Sequence, residues 1–193
     1  MKKIISLSLA LMLCISMTLI VTSCAATHPI EEFKNKMADA DSYQMSVTMS
    51  NVPLFGTITM TTKVDGNIQY TPAIMFNEEE YVETVGDVKY KYTKNEDGTW
   101  SKSQDTEEAD DSSVTSDKTM EELFNSDNYE KVKDKDNTYK QKKDVTFDNF
   151  EDVVITIEED SCTIEMVSTD EGYGVKLVFS KIGEVELTLP TVE

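Results

Sequence analysis

Polar and apolar residues alternate along most of the chain after residue 41. In the first alternating segment, the odd positions from Tyr43 to Met49 are apolar and the even positions between them are Gln, Ser or Thr. A period of two residues places each set on one face of a β-strand, which predicts a strand that is apolar on one face only. The same alternation between turn residues predicts strands at 42–50, 57–64, 68–70, 80–84, 88–92, 99–102, 129–133, 137–143, 153–159, 162–168, 173–180 and 184–189.

A helical period precedes the first strand. Ile30, Phe33 and Met37 recur at a spacing of three to four residues, which predicts an amphipathic helix. Pro29 suits the first turn of a helix, because its missing N–H would have no intrahelical partner there. The change of period near Asp41 predicts that the helix ends at that point.

A second, short helix is predicted near the middle of the chain. Thr119 is the expected cap, and Glu122 would complete a capping box with it. The apolar side chains expected to face inward are Met120, Leu123 and Phe124. This helix would cross from one half of the strand pattern to the other.

Two segments show no clear period. Residues 103–118 are rich in Ser, Thr, Asp and Glu and contain one valine, which predicts a mobile acidic loop, since so little apolar surface cannot offset the entropy of ordering. In 144–152, Phe147 and Phe150 fit either a helical turn or an irregular strand. Both interpretations stay open from the sequence.

Together these elements predict one domain at 30–193, mainly β with minor α (α+β). The strands form a long antiparallel meander of about ten members, with an N-terminal helix and a short central helix. Each strand has one apolar face, so the sheet needs something to cover that face. The two helices are the expected covers.

The N-terminus resembles the signal of a bacterial lipoprotein. Lys2 and Lys3 precede an uncharged, apolar run at 4–21, which is typical of a secretory signal. Val21-Thr22-Ser23-Cys24 stands where the lipobox stands. The resemblance implies cleavage before Cys24, a diacylglycerol on its sulfur, and a lipid anchor at the extracytoplasmic face of the cell membrane. Residues 1–23 would be the signal peptide and 24–29 a lipidated tether. The alternative is an uncleaved membrane helix, because the run is close to the ~20 residues that span a bilayer.

Composition excludes several classes of function. The chain has a net charge of −19, and removal of residues 1–23 leaves −21, so a nucleic acid partner and a polybasic membrane contact are not expected. The chain has no arginine and its one histidine is His28, which leaves no Ser-His-Asp relay and no histidine-based zinc site. We therefore expect no catalytic residue, no enzyme activity, and neither a metal nor a cofactor. A calcium-stabilised domain is a weaker interpretation, because the acidic clusters match no calcium loop.

Cys162 is the one cysteine left beyond Cys24 in the mature chain, so no intrachain disulfide is expected. It shares the apolar face of its strand with Ile164 and Met166. A reactive thiol needs exposure and a positive neighbourhood, so this pattern indicates a buried, inert thiol.

The order of elements resembles the LolA-like and LppX-like lipoprotein carriers. The likeness covers roughly 27–191 and includes the lipobox, the first helix, the long meander, Tyr90-Lys91-Tyr92 with Trp100 after a turn, and a closing strand at 185–190. It implies an open half-barrel curled around the helices, with an apolar cavity that can hold acyl chains. The absence of arginine departs from carriers that use one to control opening.

From the one-sided pattern and this resemblance, we expect a non-enzymatic lipoprotein that binds a lipid or another hydrophobic ligand at the cell envelope. Methionine is flexible and fills irregular space, so a sheet face lined with it suits ligands of varied shape. The expected lining consists of Tyr43, Met45, Val47, Met49, Ile58, Met60, Tyr90 and Tyr92. The alternative is a surface-displayed module with a filled core that binds an envelope protein at a strand edge.

Overall fold

The computed structural model describes residues 27–73, 78–105, 117–170 and 172–192. The predicted signal peptide, Cys24 and the central part of the acidic loop, 106–116, lie outside these ranges, and their predictions stay predictions. Within the described ranges, no helix is both long enough and apolar enough to cross a membrane.

The described residues form a mainly β structure with few helices. Helix α1 is Pro29–Ala40, helix α2 is Asp117–Leu123, and Ser126–Asn128 forms a single 3-10 turn. The strands are β1 (Ser42–Val52), β2 (Gly56–Asp65), β3 (Ile68–Thr71), β4 (Glu80–Val85), β5 (Val88–Lys94), β6 (Trp100–Asp105), β7 (Tyr129–Lys131), β8 (Thr138–Gln141), β9 (Phe150–Ile157), β10 (Cys162–Ser168) and β11 (Gly174–Ser180). The predicted class, mainly β with minor α, is confirmed.

All the strands belong to one antiparallel sheet that does not close. Their order is β6-β5-β4-β3-β2-β1-β11-β10-β9-β8-β7. Neighbours in the chain are neighbours in the sheet within β1–β6 and within β7–β11, as a meander requires. The first and last strands pair at the centre, with Val47 opposite Leu177. The two outermost strands, β6 and β7, are consecutive in the chain, and α2 lies in the segment that links them.

Helix α1 forms as its sequence predicts. Pro29 occupies the first turn, and the Nδ1 atom of His28 accepts a hydrogen bond from the backbone N–H of Ile30 at 3.3 Å. At the other end Asp41 has left-handed backbone geometry (φ 55°), and its N–H donates to the carbonyl of Met37. Ile30 and Phe33 are buried, so the predicted apolar stripe faces the sheet.

The main core lies between the helices and the half of the sheet formed by β1 and β7–β11. We call the sheet face that carries these buried residues the helix-side face, and the other one the opposite face. The helices contribute Ile30, Phe33 and Leu123, and Phe124 follows directly after α2. The strands contribute Val47, Tyr129, Tyr139, Phe150, Val153, Ile155, Cys162, Ile164, Met166, Val175, Leu177 and Phe179. The expectation that the two helices cover one apolar face is therefore met over this half.

The apolar side of the sheet changes between β2 and β3. On β2, Val64 lies opposite Tyr43 of β1 and so belongs to the helix-side face. The turn at Gly66-Asn67 then pairs Lys63 with Tyr70, and Val64 with Gln69. Directly paired residues share a face. The aromatic residues of β3 and the strands beyond it therefore lie on the opposite face, while polar residues occupy much of the helix-side face there.

Three local predictions are corrected. Residues 184–189 do not form a strand; instead, the N–H of Leu187 donates to the Asp65 carboxylate at 2.8 Å. Both edges of β1 are already taken by β2 and β11, so the tail finds no open central strand to join. Thr119 lies inside α2, which begins at Asp117, and is not its cap. In 144–152 the strand interpretation holds only from Phe150, where β9 begins.

Candidate functional site

The structure brings six of the eight predicted lining residues together on the helix-side face. On β1, Met45 lies opposite Phe179, and Met49 lies opposite Val175, both of which belong to the core. On β2, Met60 and Ile58 lie opposite Val47 and Met49. The six residues on this face are Tyr43, Met45, Val47, Met49, Ile58 and Met60.

These six side chains differ in whether they pack against the core. Val47 is fully buried in the core, whereas Met45 and Met49 are half-buried and pack against it. Ile58 and Met60 are half-buried and lie outside the core cluster. An apolar row therefore starts within the sealed core and ends at side chains that remain partly open.

An open cavity of about 510 Å³ continues this face beyond β2. It lies beneath the C-terminal end of α1, where the chain turns from α1 into β1 and from β2 into β3. Its lining combines apolar and polar groups: Asp41, Val64, Gly66, Asn67, Ile68, Gln69, Val82, Thr84 and Lys89. The volume falls within the range of small-molecule sites, and the mixture suits a ligand with an apolar part and a polar part.

Tyr90 and Tyr92 do not join the other six residues. Pairing through β3 and β4 places them opposite Glu83 and Tyr81, on the opposite face of the sheet. Each strand pattern correctly grouped its own residues, but the register at the β2–β3 turn decided which side of the sheet each group occupies. The predicted lining is thus divided between two faces, with the sheet between them.

The opposite face of β3–β6 carries what we call the aromatic cluster: Tyr70, Tyr81, Tyr90, Tyr92 and Trp100. The ring centroids of Tyr70 and Tyr81 are 4.7 Å apart, and those of Tyr81 and Trp100 are 5.4 Å apart. Tyr92 is buried within the cluster, while the other four are half-buried. Tyr70 and Tyr81 are not among the residues predicted from the sequence. Each of them nevertheless lies in a short alternating strand, as Tyr90 and Tyr92 do.

Two charged side chains, Glu83 and Lys102, contact the aromatic cluster. The hydroxyl of Tyr92 donates to Glu83 Oε2 at 2.7 Å, and Lys102 Nζ lies 3.1 Å from the same oxygen. The Lys102 ammonium also lies 4.2 Å from the centroid of the Tyr90 ring. The hydrogen bond from Tyr92, and then that from Lys102, lower the pKa of Glu83. Hydrogen bonds with Tyr92 and Glu83 raise the pKa of Lys102.

Two findings concern metal binding and the reactivity of the Cys162 thiol. In the part of the chain that the structure describes, no group of three or more His, Cys, Asp or Glu side chains is arranged to hold a metal ion. Cys162 is completely buried, and burial raises the pKa of its thiol to about 12. The thiol therefore lacks the exposure and the thiolate character of a nucleophile.

Comparison with known protein families finds no family model that matches this chain, and comparison with curated proteins finds no match either. The resemblance to the LolA-like carriers therefore stays a prediction from the order of elements and from the lipobox. Any functional conclusion depends on the geometry of the two sheet faces.

Proposed function

We propose that this chain is a bacterial lipoprotein, anchored in the cell membrane through Cys24, that binds a lipid or another hydrophobic ligand and catalyses no reaction. The observation that carries the proposal is the apolar helix-side face, which leaves the core at Met45 and Met49 and continues over Ile58 and Met60 of β2. The same face meets an open cavity at Val64, at the other end of β2. Half-buried apolar side chains on this face gain further burial when an apolar ligand covers them.

The chemistry of the cavity favours an amphiphile. Val64 and Val82 would contact an apolar tail, while Gln69, Thr84 and Lys89 offer hydrogen bonds and a positive charge to a polar head. Apolar surface that becomes buried contributes about 25 cal/mol per Å². Methionine at positions 45, 49 and 60 lets the row adapt to tails of different shape.

We further infer that the sheet curls as an open half-barrel around α1 and α2. The inference is supported by the packing of both helices on the helix-side face and by a sheet order that ends at two unjoined strands, β6 and β7. Membership of the LolA-like superfamily is part of the same proposal, since that family has this architecture.

The function is tested by comparing lipid binding by the unchanged chain with lipid binding by a variant that carries a charge on the helix-side face. The full chain, purified in the processed form that the cell makes, is analysed by native mass spectrometry with and without added phospholipid. Met60→Glu places a carboxylate on the helix-side face, and we expect it to abolish the lipid-bound species. Thr59→Glu places the same charge one residue away on the opposite face, and it should leave binding unchanged.

Either of two outcomes would contradict this proposal. If no lipid-bound species forms with the unchanged chain, or if both glutamate variants bind alike, the helix-side face is not a ligand site. The anchor is tested separately by metabolic labelling with a fatty acid analogue, which should label the chain and fail to label Cys24→Ser.

The aromatic cluster favours a second candidate, a module that binds an envelope protein. Tyrosine and tryptophan side chains are enriched at protein interfaces, and four of those in this cluster are half-buried. Tyr81→Ser would remove the ring that touches both Tyr70 and Trp100. Loss of a partner from Tyr81→Ser in a crosslinking pull-down, with retention in Thr59→Glu, would support this candidate over ligand binding.

A further inference from the structure

The β1–β2 hairpin carries no charged residue over most of its length. From Ser42 to Thr62 the chain contains neither acid nor lysine, although charged residues make up 28% of the whole sequence. Charges return at both ends of this segment, with Asp41 before it and Lys63 after it. The polar side chains of the hairpin are small hydroxyls and amides, such as Ser46, whose hydroxyl lies 3.0 Å from that of Thr61.

The tip of this hairpin presents large apolar side chains to solvent. Leu54 is fully exposed (101%), and Phe55 is 45% exposed. Leu54 also has a left-handed backbone (φ 71°), a conformation that is rare for a bulky residue, so the turn holds its side chain outward at a conformational cost. Within the described residues nothing covers Leu54, so its apolar surface is available to a partner.

The tip projects beyond the strands on both sides of it. On one side, β11 begins at Gly174, opposite Ser50. On the other side, β3 ends at Thr71, one residue past the pair of Tyr70 and Lys63. Within the described ranges, the hairpin therefore extends past its two neighbouring strands.

The N-terminus of α1 lies over the half of the sheet that carries the tip. Antiparallel order places the start of β7 at the end that carries the tip, and Ser126, just before β7, donates a hydrogen bond to Glu31 in the first turn of α1. The N-cap His28 is four residues after Cys24, a stretch of chain that spans at most about 14 Å. The ring of His28 lies 4.7 Å from that of Tyr139, in the row of paired residues that includes Val47 at the middle of β1. The predicted lipid anchor therefore lies within reach of the half of the sheet that carries the tip.

We infer that the β1–β2 tip inserts Leu54 and Phe55 into the surface of the lipid bilayer that holds the anchor. A bilayer fits this occupant because the approaching hairpin brings no charge that would have to be dehydrated and no charge that anionic headgroups would repel. The inference rests on the proposed anchor for proximity alone and does not depend on ligand binding at the helix-side face. A missing lipid on Cys24 would be seen separately, in the mass of the purified chain.

An environment-sensitive fluorophore reports the position of the tip. The dye is attached to a cysteine introduced by Leu54→Cys, and the buried Cys162 does not compete for the label. Val85→Cys is the matched control, because Val85 is also an exposed apolar residue (51%) but lies in the β4–β5 turn at the other end of the sheet. The full processed chain is added to vesicles made of equal parts phosphatidylcholine and phosphatidylglycerol.

For the dye at position 54, we expect the emission to shift to the blue and to be quenched by nitroxide-labelled lipid. For the dye at position 85, we expect neither effect. Equal signals at the two positions would overturn the inference. So would a dye at position 54 that stays in water on pure lipid vesicles, the result expected if the tip binds a protein.

Partition of the chain between water and vesicles gives a second readout that does not depend on the dye. In a chain that starts at residue 24 and carries Cys24→Ser, so that it has neither the signal peptide nor the lipid, Leu54→Ser should lower the partition coefficient about tenfold, the loss expected when one leucine no longer becomes buried. Val85→Ser should not change it. An unchanged coefficient in Leu54→Ser would contradict the inference, and since Leu54 is fully exposed, this variant retains the fold.

Discussion

At the scale of single residues, burial decides which groups can react. Cys162 has no exposed surface and lies in the core with Ile164 and Phe179. Its cross-strand partners, Phe179 and Ile157, are apolar, and burial raises the thiol pKa to about 12. The sequence predicted this inert state from the alternation at 162–166, and the structure confirms it.

Accessibility of the thiol tests this assignment. In a mature chain carrying Cys24→Ser, we expect Ellman's reagent to find no reactive thiol at pH 8 until urea unfolds the protein, when one thiol should appear. Leu54→Cys in the same background is the control and should react at once. Rapid labelling of the native chain without the added cysteine would show that Cys162 opens to solvent.

The lowered pKa of Glu83 predicts that the stability of the folded chain depends on pH. Its hydrogen bonds from Tyr92 and Lys102 favour the charged carboxylate, so its pKa is lower in the folded chain than the ordinary value of 4.5. A lowered pKa of an acid stabilises the fold above that ordinary value, and the effect is lost as the pH falls through the folded-state pKa. We therefore expect Glu83→Gln to lower the melting temperature at pH 7 and to differ less from the unchanged chain at pH 3.

The control for this prediction is Glu165→Gln, because Glu165 forms a surface ion pair with Lys176 away from the aromatic cluster. It corrects for the removal of one negative charge from an acidic chain. Equal melting curves of Glu83→Gln and this control at every pH would show that the hydrogen bonds to Glu83 contribute nothing measurable.

At the scale of elements, α1 acts as a cover for the sheet. Its buried residue Phe33 stacks near Phe124, with ring centroids 6.3 Å apart, and so joins the two helices above the core. Because the helix is short, its stability comes from this packing and not from helix propensity. The neighbouring Lys34 is exposed and contributes charge alone.

Truncation of Phe33 tests the role of α1. Phe33→Ala should lower the free energy of unfolding by about 3–5 kcal/mol, the usual cost of deleting a buried aromatic side chain. Lys34→Ala, one residue away on the exposed side, should change it by less than about 0.5 kcal/mol. Urea denaturation followed by circular dichroism measures both, and similar values for the two variants would contradict the packing described for α1.

The elements were largely predictable, but their arrangement across the sheet was not. Local alternation located β1–β11 and α1 to within a few residues, because a period of two or of 3.6 depends on neighbouring positions alone. The pairing of β1 with β11 joins distant parts of the chain, which no local pattern encodes. The division of the candidate lining between two faces depends on the register fixed at Gly66-Asn67. The tail at 184–189 alternates like a strand but has no partner.

At the scale of the whole molecule, negative charge is in excess. The chain contains 37 acidic residues against 18 lysines, and its ion pairs, such as Lys36 with Asp160, lie near the surface. Repulsion among the remaining carboxylates opposes the compact state, and salt screens it over a Debye length of about 10 Å at 0.1 M.

We therefore expect added salt to stabilise the protein. Raising sodium chloride from about 0.01 M to about 0.2 M should raise the melting temperature, because the screening length falls below the spacing of many surface charges. Differential scanning calorimetry at fixed pH measures the effect, and the uncharged solute glycerol at matched osmolarity is the control. A melting temperature that falls with salt would show that surface ion pairs outweigh the repulsion.

The length of β1 separates the two ends of the molecule. The strand has 11 residues, so about 35 Å lies between its exposed tip and the cavity beside Asp41 at its other end. With Leu54 resting in the bilayer, the entrance to the cavity would stand well clear of the headgroups and face the aqueous layer. A lipid of the anchoring leaflet would then have to leave the bilayer and cross that aqueous layer as a free molecule before it could occupy the cavity.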